Sequence, residues 1–160
     1  MPLAAVFAAA LALTPVTPNC THSQVRLHVG RANGTAGTIF YPLTFTNRSA
    51  RVCALRGFPG VSSVTRRRHR VGSPATRDRG FTPHTVRLRA HGGTATAVLG
   101  IVDTGAIPRN RCRPVSVWGL KVFAPNQTRA FFAHVRHSAC SRRGSPNMHV
   151  RPVVRGRTGL

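Results

Sequence analysis

Short runs of alternating apolar and polar residues recur along this chain, and they restrict its fold more than any other feature. In residues 25–29, apolar Val25, Leu27 and Val29 alternate with an arginine and a histidine. This period of two is typical of a strand with one buried face. Turn residues separate the runs, and no long stretch keeps a helical period. The pattern predicts an all-β, two-sheet antiparallel sandwich of about 8–9 strands. We expect strands at residues 23–29, 37–46, 51–56, 61–65, 85–90, 94–102, 115–123, 129–135 and 148–154.

The length of 160 residues gives room for one domain of ordinary size. An apolar, alanine-rich run opens the chain, and Ala10-Leu11-Ala12 matches the small-x-small pattern of signal-peptide cleavage. We therefore expect a signal peptide and short linker at 1–19, a single β-sandwich domain at 20–155 and a frayed tail at 156–160. The run is shorter than the roughly 20 residues of a membrane-spanning helix, so no transmembrane segment is expected after signal removal. A first buried strand or helix is the alternative interpretation of the run.

The chain contains four cysteines, Cys20, Cys53, Cys112 and Cys140. An even number in a chain predicted to be exported indicates two structural disulfides. Their spacings match neither a C-x-x-C redox pattern nor a zinc pattern, so no metal site is expected. Of the three pairings that four cysteines allow, the sequential one is the simplest, because Cys20–Cys53 and Cys112–Cys140 each close a loop within one half of the chain.

A series of motifs resembles a known family. Residues 45–62 read Phe-Thr-Asn-x-Ser and then Cys-x-Leu-x-Gly-aromatic-Pro-Gly-Val-Ser. Gly-Gly-Thr-Ala at 92–95, a third cysteine, Gly-Leu-Lys-Val-Phe at 119–123 and a fourth cysteine follow in order. Over about residues 20–154 the chain resembles the actinobacterial exported family called domain of unknown function 4232. The resemblance implies a cysteine-bridged, immunoglobulin-like β-sandwich in the cell envelope or outside the cell, without an assigned activity. We expect the first block of motifs to determine the fold rather than to bind a ligand.

Positive charge is the extreme feature of the composition. The chain has 24 Lys and Arg residues against two acids, Asp78 and Asp103, which gives a formal net charge of +22. Codon usage in a GC-rich genome accounts for arginine in place of lysine but not for the missing acids. The charge predicts attraction to anionic polymers through counterion release. The candidate anion-binding residues lie in two predicted loops: Arg66, Arg67, Arg68, Arg70, Arg109, Arg111 and Arg113.

These arginines suggest the class of partner. Arginine offers two parallel donors to a phosphate or carboxylate group. We expect anionic cell-envelope components or other polyanions as partners. The aromatic residues fall in apolar strand positions rather than among the arginines, so specific nucleic-acid recognition is not expected. A charged surface that is only solvated is the alternative.

One segment resembles a catalytic motif. Asp103-Thr104-Gly105 follows an apolar run, as does the active-site turn of aspartic proteases, and a single copy would require a homodimer. The second apolar-apolar-Gly motif of that fold is absent. An isolated Asp-x-Gly is more typical of a turn in which the carboxylate accepts hydrogen bonds from the backbone. The sequence therefore favours no enzyme, with a dimeric aspartic protease as the alternative.

The histidines and serines form no recognisable catalytic or metal-binding motif. His134 and His137 are three residues apart, which places them on opposite faces of a strand. The chain has no Gly-x-Ser-x-Gly motif and no glutamate. We therefore predict no catalytic residue, metal or cofactor. The overall interpretation is a non-enzymatic, secreted or envelope-associated binding domain.

Overall fold

The computed structural model describes residues 16–157. This part of the chain contains thirteen strands, one 3₁₀ helix and one short α-helix. The strands are β1 (Val25–Val29), β2 (Asn33–Thr35), β3 (Thr38–Asn47), β4 (Cys53–Arg56), β5 (Gly60–Val64), β6 (Arg70–Val71), β7 (Thr76–Arg77), β8 (Thr85–Leu88), β9 (Thr94–Val102), β10 (Pro114–Phe123), β11 (Ala130–Cys140), β12 (Met148–Val150) and β13 (Val154–Arg155). The 3₁₀ helix is Thr104–Ala106 and α1 is Arg109–Cys112.

Each of the predicted strands has a counterpart, and the all-β fold class is confirmed. The additional strands β2, β6, β7 and β13 have two or three residues each, too few to show an alternating pattern. The predicted strand at 148–154 is divided into β12 and β13, which pair with different parts of β9. Pro152 lies in the interruption, where its missing N–H group cannot join a ladder.

The larger sheet has seven strands. Its order is β1-β3-β9-β12-β7, with β2 paired to β3 and β13 paired to β9. The central pair β3–β9 is antiparallel, from Thr38 opposite Val102 to Thr46 opposite Thr94. Only the short contact between β7 and β12 is parallel among the described strand pairs. Side chains alternate between the two faces of this sheet, so the odd-numbered residues of β3 and β9 share one face.

The smaller sheets are one of four strands, ordered β11-β10-β5-β6, and a ribbon of β4 and β8. Buried side chains of the two larger sheets meet in one hydrophobic core. Leu43, Phe45 and Leu99 come from the seven-stranded sheet, and Leu120 and Val122 come from the four-stranded sheet. Burial of each such side chain contributes about 1.5–3 kcal/mol. Two sheets that pack face to face over a shared core form a β-sandwich.

The Asn-x-Ser motif at the end of β3 links several segments of the fold through hydrogen bonds. Asn47 is fully buried, and its Nδ2 donates to the carbonyl oxygens of Arg51, Leu88 and Arg89 at 2.8, 3.3 and 3.1 Å. Its Oδ1 accepts hydrogen bonds from the backbone N–H and the hydroxyl of Ser49 at 3.0 and 2.8 Å. A buried amide with all these partners stabilises the fold, whereas loss of one would leave an unsatisfied polar group. The motif joins β3, the following turn and β8, which supports its expected role in determining the fold.

Both predicted disulfides are present, and the sequential pairing is confirmed. Cys20–Cys53 joins the segment before β1 to β4, and Cys112–Cys140 joins the end of α1 to the end of β11. The bridged cysteines are 33 and 28 residues apart. Each bridge contributes on the order of 3–4 kcal/mol by restricting the unfolded chain.

The predicted signal peptide lies outside the described residues except for positions 16–19 of its segment. Of these, Asn19 forms a parallel bridge with Ala54, beside the first disulfide. Among the helices of residues 16–157, none is long and apolar enough to cross a bilayer.

The C-terminal end of the described chain joins the seven-stranded sheet. Gly156, the first residue of the predicted tail, donates its N–H to the carbonyl of Thr94 at 3.1 Å. Its own carbonyl accepts a hydrogen bond from Thr96 Oγ1 at 2.7 Å. Residues 158–160 lie outside the described residues.

Candidate anion-binding surface

The first predicted cluster, residues 66–70, forms the turn between β5 and β6, and its arginines are exposed. The Arg68 amide donates to the Thr65 carbonyl, and the Thr65 amide donates to the His69 carbonyl, both at 2.9 Å. The side chain of Arg68 folds back over the sheet, with its Cζ 4.4 Å from the ring centroid of Phe132 in β11. The turn therefore carries positive charge over the outer face of the four-stranded sheet.

The second predicted cluster lies on and beside α1, a single helical turn within a segment expected to be a loop. Arg109, Arg111 and Arg113 are exposed, and Cys112 between them is buried. The disulfide to Cys140 ties this turn to the end of β11. The same sheet therefore supports both predicted clusters.

The two clusters border one end of the four-stranded sheet. Gly72, directly after β6, lies so close to the carbonyl oxygen of Cys140 that no Cβ would fit between them. The Gly144 amide donates to Ser73 Oγ at 2.9 Å in the same region. The end of β6, whose first residue is Arg70 of the first cluster, therefore lies beside the disulfide that holds the second cluster.

The four-stranded sheet also carries an aromatic and cationic surface that the sequence did not predict. The register between β10 and β11 shifts after Val117, so that Trp118 lies opposite two residues of β11, Val135 and Arg136. Such a bulge changes the local direction of side chains. The indole of Trp118 stacks on the imidazole of His134, with ring centroids 5.0 Å apart and an interplanar angle of 28°.

A cleft of about 540 Å³, the Trp118 cleft, lies against this ring pair. Its aromatic and charged lining comes from Arg66, Trp118, His134 and Arg136. The volume is within the roughly 300–1,000 Å³ of ligand-binding clefts. The expectation that aromatic residues are confined to apolar strand positions, away from the arginines, is wrong for Trp118, because the sheet brings it next to Arg66 and Arg136.

A second groove, of about 640 Å³, lies between β1 and β11, the neighbouring edges of the two large sheets. The cationic and imidazole side chains that line this edge groove are His22, Arg26, His28, Arg48 and His134. Because His134 lines both the edge groove and the Trp118 cleft, the two adjoin at this residue. Together they form one concave surface that crosses β11.

Neither acid of the chain lies at this concave surface. Asp78 pairs with Arg151, with 3.9 Å between its Oδ2 and the arginine Nε. Asp103 Oδ1 accepts a hydrogen bond from the Gly105 amide at 2.9 Å. Because the chain has no other aspartate or glutamate, the arginines of the Trp118 cleft and the edge groove face no aspartate or glutamate side chain. Their charge is available to an external anion.

The Asp103-Thr104-Gly105 segment, which resembles the active-site motif of aspartic proteases, forms a turn. Asp103 is the N-cap of the 3₁₀ helix, and its carboxylate accepts from the backbone of Gly105, as expected of an isolated Asp-x-Gly. The residue lies in an open cleft of about 420 Å³ that His137 also lines.

His137 is held by two hydrogen bonds on the inner side of β11. Its Nδ1 lies 2.8 Å from the Val135 carbonyl oxygen and donates to it, so the neutral Nε2 accepts from the Ser63 hydroxyl at 2.9 Å. Burial lowers the pKa of His137, and the hydrogen bond to Val135 opposes this shift in part. Ser63 is only 1% exposed, so its hydroxyl is not accessible to a substrate.

The two histidines of β11 lie on opposite faces of the strand, as the sequence predicted. His134 is exposed and stacks on Trp118, whereas His137 is bonded to the buried Ser63. Within residues 16–157, no group of three His, Cys, Asp or Glu side chains is placed to hold a metal ion.

Comparison with known proteins gives the family of the chain. The model of the family described as Domain of unknown function (DUF4232) matches residues 20–154. The chain belongs to the DUF4232 family. The resemblance seen in the sequence motifs is therefore confirmed. No curated protein and no solved structure matches the chain.

In this DUF4232 domain, one motif glycine shapes the bulge beside Trp118. Gly119 begins the Gly-Leu-Lys-Val-Phe motif, and a Cβ at this position would overlap the carbonyl oxygen of Ala133. The close approach of β10 and β11 therefore requires glycine here. Trp118 itself precedes the motif, so the family pattern provides its position but not its side chain.

Sequence reasoning missed Trp118, His134 and Arg136 as parts of one site. The alternation along residues 133–137 was a usable signal, because it placed His134 and Arg136 on the same, polar face of a strand. Their proximity to Trp118 and Arg66 depends on the cross-strand register, for which the sequence contains no such signal.

Proposed function

We propose that this DUF4232 domain is a non-enzymatic module, exported or held in the cell envelope, that binds anionic polymers through arginine-rich surface segments. The observation that carries the proposal is the charge imbalance: 24 basic residues against two acids, one of which already pairs with Arg151. Binding of a polyanion to such a surface releases condensed counterions. The arginines assigned to this role are Arg66, Arg67, Arg68, Arg70, Arg109, Arg111 and Arg113.

Two features support an extracytoplasmic location. Disulfides form and persist in oxidising compartments, and both pairs of cysteines are bridged. The signal-peptide pattern at residues 1–19 is the second feature. Anionic envelope polymers are the partners that such a location offers to a basic domain.

Binding to polyphosphate at several salt concentrations tests the proposal. The first variant carries Arg66→Gln, Arg67→Gln and Arg68→Gln, and the second carries Arg109→Gln, Arg111→Gln and Arg113→Gln. A charge-matched control replaces three separate exposed arginines, Arg31, Arg87 and Arg155, by glutamine. Affinity is measured by titration from low salt to about 0.15 M, where the Debye length is roughly 8 Å.

We expect at least one cluster variant to lose affinity and to reduce the slope of log K against log salt by roughly three, while the control keeps most of that slope. Equal losses in all three variants, with binding abolished at about 0.15 M salt, would show that the attraction is net charge alone. That result would refute a dedicated anion-binding role.

The absence of catalysis is part of the proposal and has its own test. The engaged carboxylate of Asp103 and the buried hydroxyl of Ser63 support it. The purified chain should leave an unfolded protein substrate intact at acidic and at neutral pH. Proteolysis that disappears in Asp103→Asn and is blocked by a transition-state inhibitor would instead establish the dimeric aspartic protease.

A further inference from the structure

We propose that the Trp118 cleft binds single-stranded nucleic acid without reading its sequence. The inference rests on the proposed function, because it names one polyanion and the surface that receives it. The surface is the outer face of β10 and β11 with the β5–β6 turn, rather than the arginine-rich turns alone.

The first argument is the presence of stacked rings at the wall of a cleft. The Trp118 indole and the His134 imidazole are nearly parallel, and both line the same concave surface. Trp118 is half-buried, which fixes the indole, and His134 is exposed. A planar base that enters the cleft extends this stack, and base stacking on aromatic side chains occurs with every base.

The second argument is the charge around the rings. Arg66 approaches from the β5–β6 turn and Arg136 from β11, so guanidinium groups border the cleft from two elements. Guanidinium groups donate two hydrogen bonds to a phosphate. No aspartate or glutamate side chain competes there, because Asp78 and Asp103 lie elsewhere. The cleft therefore complements a ligand that alternates flat rings with negative charges.

The third argument is the continuation of the surface across β11. From His134 the edge groove continues toward Arg26 and His28 of β1 and toward Arg48, which directly follows β3. A polymer, unlike a single nucleotide, can occupy both the cleft and the groove. Single-stranded sites on small β domains cover about 4–16 nucleotides.

The same features disfavour a duplex and a base-free polymer as the best ligand. In a duplex the bases are stacked on one another and are not available to Trp118. A base-free polyanion would contact the arginines but has no planar aromatic ring to stack on the ring pair. Single strands alone use both parts of the surface.

The test uses Trp118 as its own probe, because it is the only tryptophan of the chain. Oligothymidine of about 12 nucleotides is titrated into the full chain at about 0.15 M salt while indole emission is recorded. Polyphosphate and a polyuronate, matched in charge, are titrated in parallel. We expect oligothymidine to quench the emission and to bind more tightly than either base-free polymer.

Three variants locate the effect, with affinity measured by anisotropy of a labelled oligothymidine. Trp118→Ala should weaken binding on the order of 5- to 150-fold, the range for loss of one stacked base. Trp118→Phe should recover most of that loss, because it keeps an aromatic face. Phe81→Ala removes an exposed ring that lies beside an arginine on the other sheet, and should change affinity by less than about twofold.

The outcomes separate this inference from the proposed function. If oligothymidine and polyphosphate bind equally and the emission does not change, the inference fails and polyanion binding stands. If no polymer binds at this salt concentration, both fail. Quenching by polyuronate without quenching by oligothymidine would assign the cleft to sugar polymers and would overturn the inference.

Discussion

Arginine and aromatic side chains lie together on both large sheets of the molecule, but only one of the two sites includes a carboxylate. At the seven-stranded sheet, Arg151 lies over the rings of Phe40 and Phe81, with its Cζ 5.8 and 4.4 Å from their centroids. The Oδ2 atom of Asp78 lies 3.9 Å from the Nε atom of Arg151. We refer to these four residues as the paired site. Their charges are balanced within the molecule.

At the four-stranded sheet, the Trp118 cleft has the same residue types without an acid. Arg66 and Arg136 border the rings of Trp118 and His134, and neither aspartate of the chain lies there. The difference teaches that arginine beside an aromatic ring is not by itself a binding signal. In the paired site a side-chain carboxylate lies beside the guanidinium group, whereas in the cleft neither aspartate of the chain balances the positive charge.

The largest expected effect concerns the bulge that places Trp118. In Gly119→Ala the new methyl group overlaps a backbone oxygen of β11, which cannot move without disturbing the ladder. We expect a loss of about 2–3 kcal/mol in the free energy of unfolding, measured with urea. Gly60→Ala in the same sheet is the control, because its Cβ meets Phe123 at an ordinary 3.5 Å. Similar losses in both variants would contradict the tight approach at the bulge.

A smaller effect compares the two sites directly. Arg151→Gln removes the ion pair to Asp78 and the contact with Phe81, and should cost about 1 kcal/mol of stability. Arg66→Gln removes no partner within the chain and should stay within about 0.5 kcal/mol of the parent. Thermal unfolding of the two variants checks both values. A larger loss for Arg66→Gln than for Arg151→Gln would break the distinction between the paired site and the cleft.

A third effect sharpens the contrast between the two faces of β11 and depends on pH. Burial lowers the pKa of His137 in the folded state below its ordinary value of 6.5, so the unfolded chain binds the proton first as the pH falls. The neutral, buried imidazole of His137 therefore makes its full contribution to the free energy of unfolding above about pH 6.5. That contribution is lost as the pH falls toward the folded-state pKa. The slope is at most about 1.4 kcal/mol per pH unit.

Unfolding in urea at several pH values measures that slope. His137→Gln should reduce it below pH 6.5. His134→Gln is the matched change on the outer face of the same strand. This variant should retain the part of the pH slope that comes from His137. An unchanged slope in His137→Gln would mean that burial of this imidazole does not affect stability in acid.

Much of the fold was predictable from the sequence. Apolar-polar alternation and turn residues determine structure within a few neighbouring residues, and four cysteines allow only three disulfide pairings. The strand β3 appears directly in the pattern, because its larger apolar residues alternate with smaller ones, and β9 appears as a largely apolar run that is buried along almost its whole length. The paired cysteines followed from simple loop closure. The interruption between β12 and β13 did not, because Pro152 breaks the ladder only in the context of its partner strand.

The candidate site was predictable only in its charge. The arginines at 66–70 and 109–113 are runs in the sequence, and runs are visible without a structure. The contact between Trp118 and His134 joins residues of two strands through a register shift, and strand alternation alone does not specify such a shift. The small number of acids was visible in the sequence, but the position of Asp78 beside Arg151 required the fold.

The edge groove has a further consequence for association between copies of the domain. Within the described residues, β1 pairs with no strand other than β3, and β11 pairs with no strand other than β10, so each leaves one side of its backbone without a strand partner. Such edges invite strand addition and aggregation, and charged side chains along them oppose it. Arg26 on β1 and Arg136 on β11 therefore protect these edges while the net charge keeps copies apart. The arginines proposed to attract polyanions thus also keep the domain dispersed at high concentration.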